Sequence, residues 1–237
     1  MIVSQKKPFE EILKALDSKN KVFLVGCGDC ATTCKTGGEK EILEMKKLLE
    51  EEGKTITGWA IPDSPCIASQ VKMVFAKNKK AIDETDAFLV LSCGLGVQSV
   101  LDNDTSRLRP SASPRGERAE ADRQKRLVCT GCDTLFGSVV DKTGVGFFER
   151  CAMCGECVLN ITGGICPVTR CAKGLLNGPC GGSDKGKCEI DKDQDCAWIL
   201  IYNRLKELGS LENMKKRRPA KDYSKTTKPR KLLVKGE

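Results

Sequence analysis

The chain has 237 residues, 40% of them hydrophobic and only 5% aromatic, with 15 cysteines, no histidine and a formal net charge of +8. That length allows one or two domains, the missing histidine excludes mixed Cys/His zinc sites and the Rieske type of cluster, and the scarcity of aromatic rings argues against a nucleic-acid stacking platform. No apolar run is long enough to span a membrane.

Met1 leads into IVSQKKPFEEILKAL, which has neither the apolar core nor the cleavage signature of a signal peptide. A cytoplasmic location with reduced thiols is therefore expected. Residues 8–17, PFEEILKALD, place Phe9, Ile12, Leu13 and Leu16 at helical spacing and predict a short amphipathic helix. KVFLVGCG (21–28) reads as a buried strand running into a glycine loop. GGEKEILEMKKLLEEEG (37–53) predicts a helix with Ile42, Met45, Leu48 and Leu49 on one face, and KTITGWAIP (54–62) a second strand. A further helix is expected over 67–84, and AFLVLSCG (87–94) as a third strand. Strands alternating with helices imply right-handed βαβ units and a parallel sheet, here a small half-Rossmann or flavodoxin-like domain over 1–105.

Cysteines punctuate that alternation. Cys27, Cys30 and Cys34 follow the first strand, Cys66 follows the second and Cys93 ends the third. The carboxyl ends of parallel strands share one edge, where ligands gather. Five thiols distant in sequence are therefore expected to meet there, beside helix N-termini at Gly37 and after Gly94-Leu95-Gly96 whose dipoles favour an anionic thiolate cluster. Read singly, Cys66 or Cys93 is a small buried hydrophobe. Gly94-x-Gly96 lacks the third glycine and the acidic partner of a dinucleotide fingerprint.

Six of the twelve arginines fall between Arg107 and Arg126, in a stretch without apolar periodicity. Residues 106–132 read as a solvated linker, or as an insertion or out-of-frame stretch replacing a strand and turn. Cys129-x2-Cys132 is the thiol pair with the weakest claim to a metal.

Cys151, Cys154, Cys157, Cys166, Cys171, Cys180, Cys188 and Cys196 then fall within a span rich in Gly, Asn and Pro and poor in large apolar side chains. Such a segment has little hydrocarbon to offset its backbone entropy, and metal ligation is the natural substitute. Cys151-x2-Cys154-x2-Cys157 followed by Cys166-Pro167 has the start of a ferredoxin-type cluster run, although the last gap is eight residues and not three. Gly155, Gly163 and Gly164 suit a loop closing on an inorganic core. Eight thiols allow two [4Fe–4S] clusters, or one cluster and one tetrahedral zinc. The domain, 133–213, is expected to be loop-dominated and metal-stapled, and to end in an apolar packing helix, CAWILIYNRLKEL (196–208). The tail from Met214 to Glu237 sets ten Lys and Arg against Asp222 and Glu237. It reads either as solvated chain or as a strip lying on an acidic surface of a partner.

CGDCATTCKTGGEKEI with SCGLGVQSV, and CAMCGECVLNITGGICPVTRCAKGLLNGPCGG with KCEID and DCAWILIYNRL, resemble the MetV family over about residues 20–102 and 133–230. These are cysteine-rich subunits of anaerobic methylenetetrahydrofolate reductases. The resemblance implies an iron–sulfur protein, with zinc also known in the family, that passes electrons to or from the FMN of a flavin-containing catalytic subunit where the folate is reduced. It implies cluster-binding roles for Cys27, Cys30, Cys34, Cys66, Cys93, Cys151, Cys154, Cys157, Cys166, Cys171 and Cys180, a metal-binding role for Cys188 and Cys196, and no catalytic residue. Further electron-transfer subunits are possible partners; nucleic acid and membrane are not expected. Two other readings stay open: a zinc-stapled adaptor docking the reductase onto a larger complex, and an electron donor to a corrinoid methyltransferase system.

Overall fold

A computed structural model describes residues 1–104 and 126–232. The chain divides into two units, Met1–Phe136 and Gly137–Glu237.

The first unit contains β1 (Ile2–Lys6), α1 (Phe9–Ala15), β2 (Lys21–Val25), α2 (Cys30–Thr33), α3 (Glu39–Glu51), β3 (Thr55–Ala60), α4 (Ala68–Lys77), α5 (Lys79–Asp83), β4 (Ala87–Val90), α6 (Gly94–Asn103), β5 (Leu127–Thr130) and the start of β6 (Cys132–Val140). A four-stranded sheet has the order β3-β2-β4-β5. All its pairings are parallel, with Leu24 opposite Leu89 and Leu89 opposite Cys129. Numbered by their succession within this sheet, the strands run 2-1-3-4, a doubly wound flavodoxin-like order with its switch point between β2 and β4. Alternation along β2 sends Leu24 to one face, among Ile12, Leu16, Ile42, Leu49 and Leu89, and Phe23 and Val25 to the other, among Val71, Phe75, Phe88 and Val90. Phe75 stacks on Phe88 with ring centroids 5.1 Å apart.

The single helix expected over 67–84 is two helices. Asn78 interrupts it at φ −109°, ψ 22°, and its side-chain amide donates back to the Val74 carbonyl at 2.9 Å, beside the backbone bond its own N–H makes to the same oxygen at 3.1 Å. Residues 105–125 of the arginine-rich stretch lie outside the described residues. Its last residues are not linker but β5, whose apolar Leu127 and Val128 continue the sheet beside β4. Arg126 pairs with Asp104 at 2.8 Å in the interior, the carboxylate being fully buried.

In the second unit the remainder of β6 pairs antiparallel with β7 (Phe147–Cys151), Gly137 standing opposite Cys151. The turn between them is an Asx turn in which the Asp141 carboxylate accepts from the Thr143 and Val145 amides at 3.0 and 3.3 Å. Helical turns at Leu159–Ile161 and Tyr223–Thr226, α7 (Pro167–Arg170), α8 (Ala197–Glu207) and α9 (Glu212–Lys215) complete it. Among the described residues its one apolar cluster is centred on α8: Cys196, Trp198, Ile201 and Leu205, flanked by Ile165, Cys171 and Leu175. No helix among the described residues is long and apolar enough to cross a membrane.

Candidate functional site

The parallel sheet carries its cysteines at the carboxyl edge. After β2 the chain turns through Gly26 and Cys27 into α2 and returns at Gly37, whose carbonyl accepts from the Cys27 amide at 2.9 Å. A Cβ on Gly37 would come within 1.8 Å of the Leu91 carbonyl oxygen, so only glycine lets this loop lie against the end of β4. Cys27 thereby lies in the neighbourhood of Cys93, the N-cap of α6, at the β2/β4 switch point. Cys30 adjoins Cys27. Burial pushes the Cys27 and Cys30 thiols up, most of all by desolvation.

The other edge cysteines are dispersed. Cys34 donates weakly to the Ile2 carbonyl, at 3.9 Å. Cys66 is exposed and lines an open surface groove with Leu95, Gln98 and Asp102. Cys132, named in the sequence with Cys129 as the pair with the weakest claim to a metal, follows the end of β5, lies near Cys34 and is raised by burial to about 12. Its position becomes readable once Leu127–Thr130 is recognised as a strand, because every strand of this sheet then runs into a cysteine. Cys129 is raised by burial and donates to the Ala15 carbonyl at 3.6 Å, which makes it a core thiol of β5.

The second unit gathers its thiols in two places. Cys171, Cys180, Cys188 and Cys196 line one small cavity, with Trp198 in its wall. Trp198 is held there by its indole N–H, which donates to the Leu175 carbonyl at 3.1 Å. Cys188 and Cys196 are presented by a tight loop in which the Cys188 amide donates to Gln194 at 2.9 Å and the Cys196 amide to Gly186 at 2.8 Å. The Gly182 amide points at the Cys180 sulfur, at 3.4 Å, and Cys180 in turn meets Glu189, itself ion-paired with Lys173. These four thiols share one cavity, so Cys171 and Cys180 stand with the pair Cys188 and Cys196 that the sequence reading set apart.

The second place is the loop Cys151–Cys157. Met153 and Gly155 both take the left-handed conformation, at φ 49° and 76°, which folds the loop back so that the Met153 amide points at the Cys151 sulfur at 3.4 Å. The Lys221 ammonium donates to the Cys154 sulfur at 2.7 Å and holds that thiol below the ordinary range. Lys221 also lies near Cys166, the N-cap of α7 ahead of Pro167.

Every one of the 15 cysteines is a free thiol. Among the described residues no three Cys, Asp or Glu are already converged as the ligands of a metal ion. The donors nonetheless suit a thiolate-bound centre in kind: four sulfurs on one cavity, amide N–H groups aimed at two of the sulfurs, and glycines in left-handed conformations that give the loops close approach.

Residues 129–224 match a family model described as methylene-tetrahydrofolate reductase C terminal. The matched span begins in β5 and takes in both thiol groups of the second unit; Cys27, Cys30, Cys34, Cys66 and Cys93 lie outside it. Neither the search of curated proteins nor that of solved structures gives a match.

Proposed function

We propose that this chain is a non-catalytic, MetV-type subunit of a methylenetetrahydrofolate reductase complex, carrying electrons to or from the FMN of a flavin-containing catalytic subunit that converts methylene- to methyltetrahydrofolate. One observation carries the reading: the segment similar to the reductase C-terminal family is the segment in which Cys171, Cys180, Cys188 and Cys196 surround a single cavity as free thiols. An iron–sulfur cluster bound by such thiolates supplies one-electron transfer.

The residues divide that task. Cys171, Cys180, Cys188 and Cys196 would hold one centre, and Cys151, Cys154, Cys157 and Cys166 a second. Trp198 and the α8 core close the first from water on one side. The Met153 and Gly182 amides donate to ligand sulfurs, the interaction by which a protein tunes such a centre. Cys27, Cys30 and Cys93 at the switch point are candidates for a third site, with Cys34 and Cys66 farther along the same edge. With no histidine, the chain lacks the commonest proton donor for folate chemistry, which is assigned to the partner.

Iron, zinc and sulfide counts on anaerobically prepared protein, with EPR of the reduced form, test the reading. The expected result is a brown protein containing iron and acid-labile sulfide that copurifies with a flavoprotein. A folded, colourless protein holding only zinc overturns it and leaves a structural adaptor in its place.

A further inference from the structure

The basic tail reads in the sequence as a strip for a partner or as solvated chain, yet its described part is docked on its own unit. Four contacts bind it to the Cys151–Cys157 loop. Lys221 donates to the Cys154 sulfur at 2.7 Å and to the Glu156 carbonyl at 3.3 Å. The Asp222 amide donates to the Glu156 carboxylate at 2.9 Å, and Arg230 donates to the Met153 carbonyl at 2.7 Å. A Cβ on Gly155 would sit 3.2 Å from the Lys225 Cβ, so the tail backbone and the loop are in direct apposition. Upstream, Asn177 clamps the backbone of Arg218 from both sides, accepting from its amide at 2.8 Å and donating to its carbonyl at 3.2 Å.

We infer that residues 218–230 form a cationic strap over the Cys151–Cys157 loop, and that Lys221 is a positioning residue which sets the redox potential of the centre held by Cys154. The inference rests on the proposed reading of these thiols as ligands. Its physical basis is charge. A thiolate-bound cluster becomes more negative by one unit when it takes up an electron. A cation donating to a ligand sulfur stabilises the reduced form more than the oxidised one and raises the potential. Lys221 is also placed to matter more than the tail's other charges, since it touches a sulfur and lies near a second cysteine, Cys166. Lys216, by contrast, is exposed at the end of α9.

The test uses the full chain, reconstituted anaerobically as wild type, Lys221→Gln, Lys221→Arg and Lys216→Gln. Iron content and EPR-monitored redox titration with dithionite are the readouts. The expected result is full iron content in all four, a lower midpoint potential for one centre in Lys221→Gln, recovery of most of that shift in Lys221→Arg, and wild-type behaviour in Lys216→Gln. Iron loss confined to Lys221→Gln and reversed in Lys221→Arg also supports the placement, as a stronger form of the same contact. An unshifted potential in iron-replete Lys221→Gln, or an equal shift in Lys216→Gln, overturns the role of Lys221 alone. A wild-type chain that takes up no iron overturns it together with the function on which it rests.

Discussion

Two populations of cysteine share this chain and live in opposite surroundings. Two beside the parallel sheet sit against hydrocarbon: Cys129 and Cys132 are buried in the same cluster as Leu24, Leu89 and Leu91, and burial holds them as neutral thiols. In the second unit Cys154 and Cys180 sit on glycine-rich loops beside charged groups, Cys154 against the Lys221 ammonium and Cys180 against the Glu189 carboxylate that pairs with Lys173. Among the described residues the first unit has two apolar clusters, one on each face of its sheet, which supply the hydrophobic drive for its fold. Among its described residues the second has only the α8 cluster. Cys129 and Cys132 thus serve as packing where apolar area is plentiful, and loop cysteines such as Cys154 and Cys180 are ligand candidates where it is scarce.

Metal removal should separate the two regions most sharply. The chain has two tryptophans, Trp59 in β3 and Trp198 in the thiol-lined cavity, one in each unit. Trp59→Phe therefore leaves a reporter of the second unit, and Trp198→Phe a reporter of the first. Thiolate–metal binding contributes on the order of 10 kcal/mol to the fold of small metal-stapled domains. Anaerobic chelation is expected to shift Trp198 emission to the red in Trp59→Phe while leaving Trp59 emission unchanged in Trp198→Phe. A shift of both, or of neither, would remove the contrast.

The converse perturbation is Arg126→Met. Asp104 and Arg126 flank residues 105–125 and meet at 2.8 Å with Asp104 fully buried. Removing the guanidinium takes the ion-pair partner from a buried carboxylate, at a cost of about 3–5 kcal/mol. Denaturant unfolding followed at Trp59 should show that loss, with Trp198 emission and metal content as in wild type. A wild-type midpoint would mean that this pair is not what ties α6 to β5.

The sequence made the sheet legible where apolar runs were unbroken, as in KVFLV and AFLV, and the strand-end cysteines followed from that alternation. It hid β1, because IVSQK is short and half polar, and it hid β5 behind the arginine-rich stretch that precedes it. The β6–β7 hairpin was legible in principle, since Asp141 and Gly144 mark its turn, but the nearby cysteines drew the reading away from it. The cavity shared by Cys171, Cys180, Cys188 and Cys196 was not legible, because irregular spacings do not say which loops fold together. Nor was the tail's docking: ten positive charges suggest an acidic partner, and only coordinates reveal that Lys221 has a sulfur within reach.

The smallest expected effect is a pH dependence with opposite signs in the two regions. Burial raises the Cys132 thiol from the ordinary 9.0 to about 12. Because the folded chain holds this proton more tightly than the unfolded one, the resulting stabilisation is fully present below pH 9 and is lost as pH rises from 9 toward 12. Cys154 runs the other way in the metal-free chain. Lys221 lowers it, so its contribution is present above the unfolded value and fades as pH falls through the folded one. Denaturation midpoints of Trp198→Phe, followed at Trp59, should therefore decline with a steep slope above pH 9, and Cys132→Ala should flatten it. Cys27, Cys30 and Cys129, also raised by burial, account for what slope remains. An undiminished slope in Cys132→Ala would mean that Cys132 is wetter than its 3% exposure implies, and that the sheet-side thiols are closer in character to those of the second unit.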